Sequence, residues 1–149
     1  MPVSNTSRRT RRKKTNIRIY NFPKNTRKAV MRAGRLALAL RPRARIGEIN
    51  VILLADAKIK ILNRRFRRVN RKTDVISFRY SQSPLEGDIF LSKGVSKKQA
   101  KPEGHPWADE LAYLTIHGIL HLFGYTDYTL RNRKKMFKIQ DVIASEAKQ

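Results

Sequence analysis

His117 and His121 are four residues apart in the segment 115–128, TIHGILHLFGYTDY. On an α-helix this spacing places both imidazoles on one face, one turn apart, so that both can point at a single ion. Gly124 stands where a helix commonly ends, because glycine adopts the left-handed conformation without steric cost. Asp127 can then turn back toward the histidines. Three ligands on one side of a metal leave the open position that catalytic zinc keeps for water or substrate. The spacing therefore predicts a catalytic metal site.

An alternative interpretation is that both histidines are ordinary helix residues and that Asp127 is a turn residue or a cap. Two of the chain's three histidines at this spacing, closed by Gly-x-x-Asp, favour the metal site. Gly118 follows the first histidine directly, at the position where zinc proteases with this histidine spacing need a glutamate as general base. The sequence therefore argues against peptide hydrolysis.

The same segment resembles the signature of the YbeY-type endoribonucleases, the ribosomal RNA maturation factors, which reads His-Gly-x-Leu-His-Leu-x-Gly-Tyr-Asp-His. The matching residues are His117, Gly118, Leu120, His121, Leu122, Gly124 and Tyr125. The chain departs at the end of the signature, where Thr126 and Asp127 replace Asp-His. Zinc accepts a carboxylate oxygen, but an anionic ligand should leave the metal less electrophilic than a third imidazole would.

Further blocks resemble this family in the same order along the chain. They are Leu62, Asn63, Phe66 and Arg67; Thr73, Asp74, Val75, Ser77 and Phe78; and Gly87, Asp88 and Ile89. The resemblance implies an α+β fold, in which a small mixed sheet of about four strands is packed with helices. The metal-bearing helix is central and is followed by a glycine turn. By the same resemblance, Arg67 faces the metal across a cleft and holds the scissile phosphate, a task that suits its rigid fork of donors.

The resemblance implies a single-strand-specific, metal-dependent endoribonuclease that matures small-subunit ribosomal RNA and has a related duty in ribosome quality control. We predict one zinc ion per chain, held by His117, His121 and Asp127, with Arg67 and His117 as catalytic residues. Since no residue stands out as a general base, metal-bound hydroxide or the 2′-hydroxyl of the substrate has to fill that role. The predicted partners are ribosomal RNA and the small ribosomal subunit, without DNA.

Charge is the most pronounced bulk property of the chain. Lysine and arginine number 34 against 11 aspartates and glutamates, a formal net charge of +23. Residues 1–14 contain six of the basic side chains and no acidic one, so the formal net charge of the remaining residues is still +17. Such residues can simply keep a small domain soluble. An excess of this size instead favours a polyanion partner, because phosphate contacts add affinity without sequence choice.

A length of 149 residues predicts one domain whose core needs no disulfides. We divide the chain into a basic, disordered arm over 1–15 and a single endoribonuclease-like domain over 16–149. The absence of cysteine excludes thiolate catalysis and sulfur-ligated zinc. Without a long apolar run we expect a soluble, cytoplasmic protein with no membrane partner. The oligomeric state is not determined by the sequence, and a monomer is the default expectation.

Hydrophobic periodicity predicts the elements that must position these residues. The expected strands are 16–22, 46–54, 75–78 and 88–91, and the expected helices are 24–40, 56–66, 107–123 and 130–147. Asp56 is the candidate cap of the second helix. Residues 92–106 are polar and rich in lysine, so they are expected to form a mobile connection over the site. The last helix is expected to bury Phe137, Val142 and Ile143.

Several other side chains carry weaker signals. His105 is expected to be a solvated loop histidine rather than a replacement ligand. Asp74 and Asp88 flank strands, where turn or cap roles are favoured over orienting the ligands. Three aromatic residues near the histidines could stack on unpaired bases. They are Trp107 and Tyr125, for which core packing is at least as good an interpretation, and Tyr128.

Two other functions remain compatible with the sequence. The first is a metal-dependent hydrolase of another substrate. The second is a catalytically silent ribosome- or RNA-binding relative, in which the altered third ligand, Asp127, has ended catalysis and left the basic surface in place.

Overall fold

The computed structural model describes residues 16–68 and 73–149. The expected disordered arm over 1–15 lies outside these residues. In the described part of the chain, alternating apolar residues build four strands, namely β1 (Ile17–Tyr20), β2 (Ile46–Leu54), β3 (Val75–Gln82) and β4 (Leu85–Ser92). They form one sheet in the order β1-β2-β4-β3. β2 pairs in parallel with β1 and with β4, and β3 pairs antiparallel with β4, so the sheet is mixed, as predicted.

The described residues also contain five helices: α1 (Lys24–Leu38), α2 (Asp56–Arg67), α3 (Lys93–Glu103), α4 (Trp107–Leu122) and α5 (Leu130–Ala147). α4 is central, because it contacts α1, α3, α5 and the strands β3 and β4. Apolar side chains on nearly all sides of α4 are buried, which is the pattern of a helix enclosed by its neighbours. No helix in the described ranges has the length and apolar character needed to cross a bilayer.

The core lies between the sheet and α4. Ile49, Val51 and Leu53 of β2 point to one face and are buried, as their alternation predicted. Ile89 of β4 and Ile116 of α4 are fully buried in the same cluster. The predicted α+β fold is therefore confirmed, and the helix that carries His117 and His121 is central as expected.

The segment 92–106 corrects one prediction, because most of it is helix α3 rather than a mobile connection. Ser92 caps the helix by accepting a hydrogen bond from the backbone N–H of Val95. Asp56 is not the cap of α2, which is Ala55. Instead, the Asp56 carboxylate accepts hydrogen bonds from the Ser92 hydroxyl and from the backbone N–H of Gly94. The start of α3 is thus fixed by a contact between two residues that are 36 positions apart in the chain, and the lysine-rich sequence of 92–106 did not predict it.

The hairpin of β3 and β4 is also longer than predicted, since pairing continues to Gln82 opposite Leu85 where a loop over 79–87 was expected. Polar side chains on this edge strand face solvent, so the apolar alternation fades while the backbone pairing continues. At the helix ends, α1 stops at Leu38 rather than near residue 40. On α5, Ile143 is buried and Phe137 is half-buried, but the prediction for Val142 was wrong because it is 56% exposed.

Candidate metal centre

α4 and the turn after it bring the three predicted ligands together. The Nε2 atoms of His117 and His121 are 3.0 Å apart, on one face of the helix. The chain then turns at Gly124, whose φ of 103° lies in the region that favours glycine. This turn returns the Asp127 Oδ2 atom to 3.6 Å from His117 Nε2 and 3.7 Å from His121 Nε2. The two-histidine, one-carboxylate geometry predicted from the spacing is therefore present.

The spacing of these three atoms fits a tetrahedral zinc ion. Ligand atoms about 2.1 Å from a tetrahedral centre are about 3.4 Å from one another. The observed separations of 3.0, 3.6 and 3.7 Å lie around that value. The side chains of His117, His121 and Asp127 are 12%, 26% and 33% exposed, so one side of the centre is open to water or substrate. The residues present thus fit a catalytic zinc site.

The second nitrogen of each imidazole is held by an oxygen. His121 Nδ1 lies 3.0 Å from the backbone oxygen of Tyr125, which can only accept, so Nδ1 carries the proton. His117 Nδ1 lies 3.0 Å from Oε1 of Gln140. In neutral rings both Nε2 lone pairs then face each other and the Asp127 carboxylate. Three acceptors this close repel one another unless a proton or a metal ion lies between them, and a metal ion at this point would give the arrangement of metal-binding histidines.

Burial lowers the pKa of the His121 imidazole, and the positive charge that His117 can carry lowers it further. The carboxylate of Asp127 acts in the opposite direction but does not reverse the shift. A lowered pKa favours the neutral imidazole, which is the form that binds a metal ion.

Arg67 lies in the same cleft as the three predicted ligands. The cleft has a volume of about 450 Å³, and its lining includes Arg67, His117, His121 and Asp127. Ile59, Asn63 and Arg67 follow one another at helical spacing on α2, and the first two are buried. Arg67 thus continues the packed face of α2 into its last turn, where its exposed side chain lines the cleft.

Two other arginines that sequence reasoning missed hold the end of α4. Arg79 Nη1 donates to the backbone oxygen of Leu122 at 3.2 Å, and Arg41 Nη1 donates to that of Phe123 at 3.0 Å. The Arg41 guanidinium also lies 5.2 Å from the ring centre of Tyr125. Cations stabilise the negative end of a helix, so both residues support the turn that carries Asp127. Nothing local distinguishes them among 34 basic residues.

The weaker candidates have mostly structural roles. His105 Nε2 lies 3.0 Å from Oε1 of Glu110 in the first turn of α4, so it is paired rather than freely solvated. Trp107 packs at the helix start, where Nε1 donates to Ser96 Oγ at 2.8 Å. Tyr125 packs against the core, whereas Tyr128 is 81% exposed beside the cleft. Of the three aromatic residues, Tyr128 is thus the one placed to meet a base.

The carboxylates of Asp74 and Asp88 both accept hydrogen bonds from residues other than the histidines. The Asp74 carboxylate accepts a hydrogen bond from Gln99 Nε2 at 3.2 Å. Asp88 lies within β4 rather than at a turn, and it accepts from Asn50 Nδ2 at 3.0 Å and from the Tyr80 hydroxyl at 2.7 Å. The Asp88 contacts join β4 to its neighbouring strands, the Asp74 contact joins the start of β3 to α3, and none of them reaches the candidate ligands.

Gly118 gives a steric reason for the absence of a protease base. A Cβ atom there would lie 2.5 Å from Cγ2 of Ile89 and 3.1 Å from Oγ of Ser77. The Ser77 hydroxyl donates to the backbone oxygen of Gly118 at 3.1 Å, which keeps α4 close to the sheet. A glutamate at this position would collide with the buried Ile89 side chain. The site therefore has no room for the general base of a zinc protease.

We expect Gly118→Ala to lower the free energy of unfolding by about 1–3 kcal/mol, because the added methyl forces α4 away from Ile89. Helix propensity alone acts in the opposite direction and favours alanine over glycine by about 1 kcal/mol. Urea unfolding followed by circular dichroism distinguishes the two effects, because the steric effect lowers the free energy of unfolding and the helix-propensity effect raises it. A variant as stable as wild type, or more stable, would contradict the close packing of α4 on β4.

Comparison with known proteins gives consistent matches over most of the chain. A family model described as Endoribonuclease YbeY matches residues 8–148. An Endoribonuclease YbeY of Endomicrobium trichonymphae is 44% identical over 127 residues, covering 85% of this chain and 89% of the relative. That of Thermosipho melanesiensis is 39% identical over 94 residues, or 62% and 68%. The solution structure of TM1509 from Thermotoga maritima has a TM-score of 0.61 and 28% identity, covering 88% of each chain.

Proposed function

Because this chain belongs to the YbeY endoribonuclease family, we propose that it cleaves single-stranded RNA at the centre formed by His117, His121 and Asp127. It is a metal-dependent endoribonuclease with a role in ribosomal RNA maturation. The observation that carries the choice of site is the convergence of two imidazole Nε2 atoms and one carboxylate oxygen in a cleft that Arg67 also lines.

We propose zinc as the ion, one per chain, because two imidazoles and a carboxylate are a ligand set that zinc accepts. When bound, zinc supplies Lewis-acid chemistry, since it polarises a phosphodiester and lowers the pKa of water to about 7. The chain's own part is to present two unprotonated Nε2 atoms and the Asp127 carboxylate on one side of the cleft. The Arg67 guanidinium would neutralise the charge that gathers on the phosphoryl oxygens during cleavage.

Basic side chains on two elements adjoin this centre and support a polyanion substrate. The last turn of α2 carries Arg64 and Arg65 beside Arg67. The start of α5 is tied to the site, because Arg133 Nε donates to the backbone oxygen of Asp127 at 3.3 Å. Exposed basic residues continue along α5 at Arg131, Lys134, Lys135 and Lys138. Such residues can follow an RNA backbone on either side of the scissile phosphate.

Single-stranded RNA is the preferred substrate in this proposal, because an unpaired, flexible backbone can bend a phosphate into a cleft. The exposed Tyr128 ring offers a surface on which an unpaired base can stack. We further propose the small ribosomal subunit and its precursor RNA as partners, ribosome quality control as a related duty, and therefore a cytoplasmic location. The activity is assigned to a single domain over 16–149.

Removal of the metal tests this function. We expect treatment of the purified protein with EDTA to abolish cleavage of a labelled single-stranded RNA, and added zinc to restore it. The same RNA annealed to its complement and a casein sample serve as controls, and both should stay intact. Cleavage of casein would favour a hydrolase of another substrate. Zinc-loaded protein that binds RNA but leaves it uncut would favour the silent relative.

A further inference from the structure

Gln140 on α5 is a fully buried amide beside the candidate metal centre. A buried amide is costly unless its donor and acceptor groups both find partners. Here Nε2 donates to the backbone oxygen of Tyr113 at 3.2 Å, and Oε1 lies 3.0 Å from Nδ1 of His117. The side chain therefore connects α5 to the ligand-bearing helix at two points.

The partner at one end of this amide determines the hydrogen bond at the other. The Tyr113 backbone oxygen can only accept, so the NH₂ group of Gln140 must face it. Oε1 must then face His117, and His117 Nδ1 must donate its proton to that oxygen. A ring with its proton on Nδ1 has its lone pair on Nε2, which lies 3.6 Å from Asp127 Oδ2.

We propose that Gln140 is a positioning residue, which holds His117 in the Nδ1–H tautomer with Nε2 directed at the metal. This inference rests on the proposed metal centre. Gln140 lies 23 residues from His117 and outside the histidine segment, so the C-terminal helix contributes to the site without supplying a ligand. Partners behind a metal-binding histidine orient the ring and raise its basicity, and their loss weakens metal binding.

The neighbours of Gln140 keep it in place. The Tyr113 hydroxyl donates to Asp141 Oδ1 at 2.8 Å, so two consecutive residues of α5 bind one residue of α4. Burial, followed by the Asp141 hydrogen bond, raises the pKa of the Tyr113 phenol, which therefore remains a donor at physiological pH. α5 is thus held to α4 by the hydrogen bonds that Gln140 and Asp141 make with Tyr113, next to the contact with His117. Ile143, one turn further along α5, is buried in the apolar core, and its side chain has no hydrogen-bonding group.

The test compares Gln140→Met, which keeps the length of the side chain and removes both polar ends, with Ile143→Ala. Zinc affinity is measured by competition with a chromogenic chelator, and thermal unfolding of the metal-free protein is followed by circular dichroism. We expect Gln140→Met to bind zinc about 10–100-fold more weakly than wild type. Ile143→Ala should lower the unfolding temperature and leave zinc affinity unchanged, because it loosens α5 without touching His117.

A second readout reports the tautomer directly. Nitrogen-15 NMR of the His117 ring in metal-free protein should show the proton on Nδ1 in wild type and a mixture of both tautomers in Gln140→Met. If that variant fails to fold, Gln140→Asn is the substitute, since its shorter amide cannot reach both Tyr113 and His117. The inference about Gln140 would be overturned, with the metal centre left standing, by either of two results. One is equal zinc affinity in wild type and the Gln140 variant, and the other is a loss of zinc affinity in Ile143→Ala as large as in the Gln140 variant. Wild type without zinc would overturn the proposed centre as well.

Discussion

Asp127→Ala is expected to lose its zinc, and RNA cleavage with it. The change removes the anionic ligand and leaves two neutral imidazoles whose Nε2 atoms are 3.0 Å apart. Loss of a direct ligand should cost more affinity than the roughly 10–100-fold that follows from losing a partner behind one. We therefore expect zinc content to fall from about one ion per chain toward none, as a tetrahedral site needs its third protein ligand.

Elemental analysis of protein purified without added metal and without a histidine-rich tag measures this loss. Asp74→Ala is the matched control, because Asp74 is an acidic residue lining the same cleft whose carboxylate pairs with Gln99. It should keep its zinc. Zinc retained in Asp127→Ala would show that Asp127 is not a ligand. A wild-type protein without zinc would instead favour the silent RNA-binding relative.

Asp127→His examines why this chain has a carboxylate where the family signature has an imidazole. Nδ1 of a histidine and Oδ2 of an aspartate are both two bonds from Cβ, so the new nitrogen can stand where the oxygen does. We expect zinc to be retained and cleavage to become faster, because a neutral ligand leaves the metal more electrophilic. Slower cleavage at full zinc occupancy would indicate that the rest of this site is adapted to the negative charge.

Arg67→Ala should lower the rate of RNA cleavage by about 10²–10³-fold while zinc content stays at the wild-type level. The guanidinium lines the cleft with the three ligands but is not one of them. Its proposed task is to stabilise charge on the phosphoryl oxygens, which matters most in the transition state. The cleavage rate of Arg67→Lys should lie between those of wild type and Arg67→Ala, because an ammonium keeps the charge but lacks the planar fork of donors.

Single-turnover cleavage with enzyme in excess separates this effect from RNA binding. Arg64→Ala is the matched control, since Arg64 is an exposed arginine in the same last turn of α2 and is absent from the cleft lining. It should weaken RNA binding in a salt-dependent way and leave the cleavage step unchanged. An equal loss of the cleavage rate in both variants would mean that Arg67 acts only as one more phosphate contact.

The sequence by itself determined the parts of this protein that depend on near neighbours in the chain. Helical spacing placed His117 and His121 on one face, and a glycine with positive φ returned Asp127 to them. Alternation likewise predicted β2, whose inward residues are all buried. Such signals are readable because the contacts they report span only a few residues.

The tertiary structure decided everything that depends on distant parts of the chain. Helix α3 begins where Asp56 meets Ser92, 36 residues away, and a lysine-rich sequence with little apolar periodicity could not predict that. Arg41 and Phe123 are 82 residues apart, and Gln140 and His117 are 23 apart. A buried amide or one arginine among many has no local signature, because its role depends on which group the fold places opposite it. The histidine spacing identified the candidate ligands, whereas the packing of α5 on α4 determined which residue contacts the far side of the His117 ring.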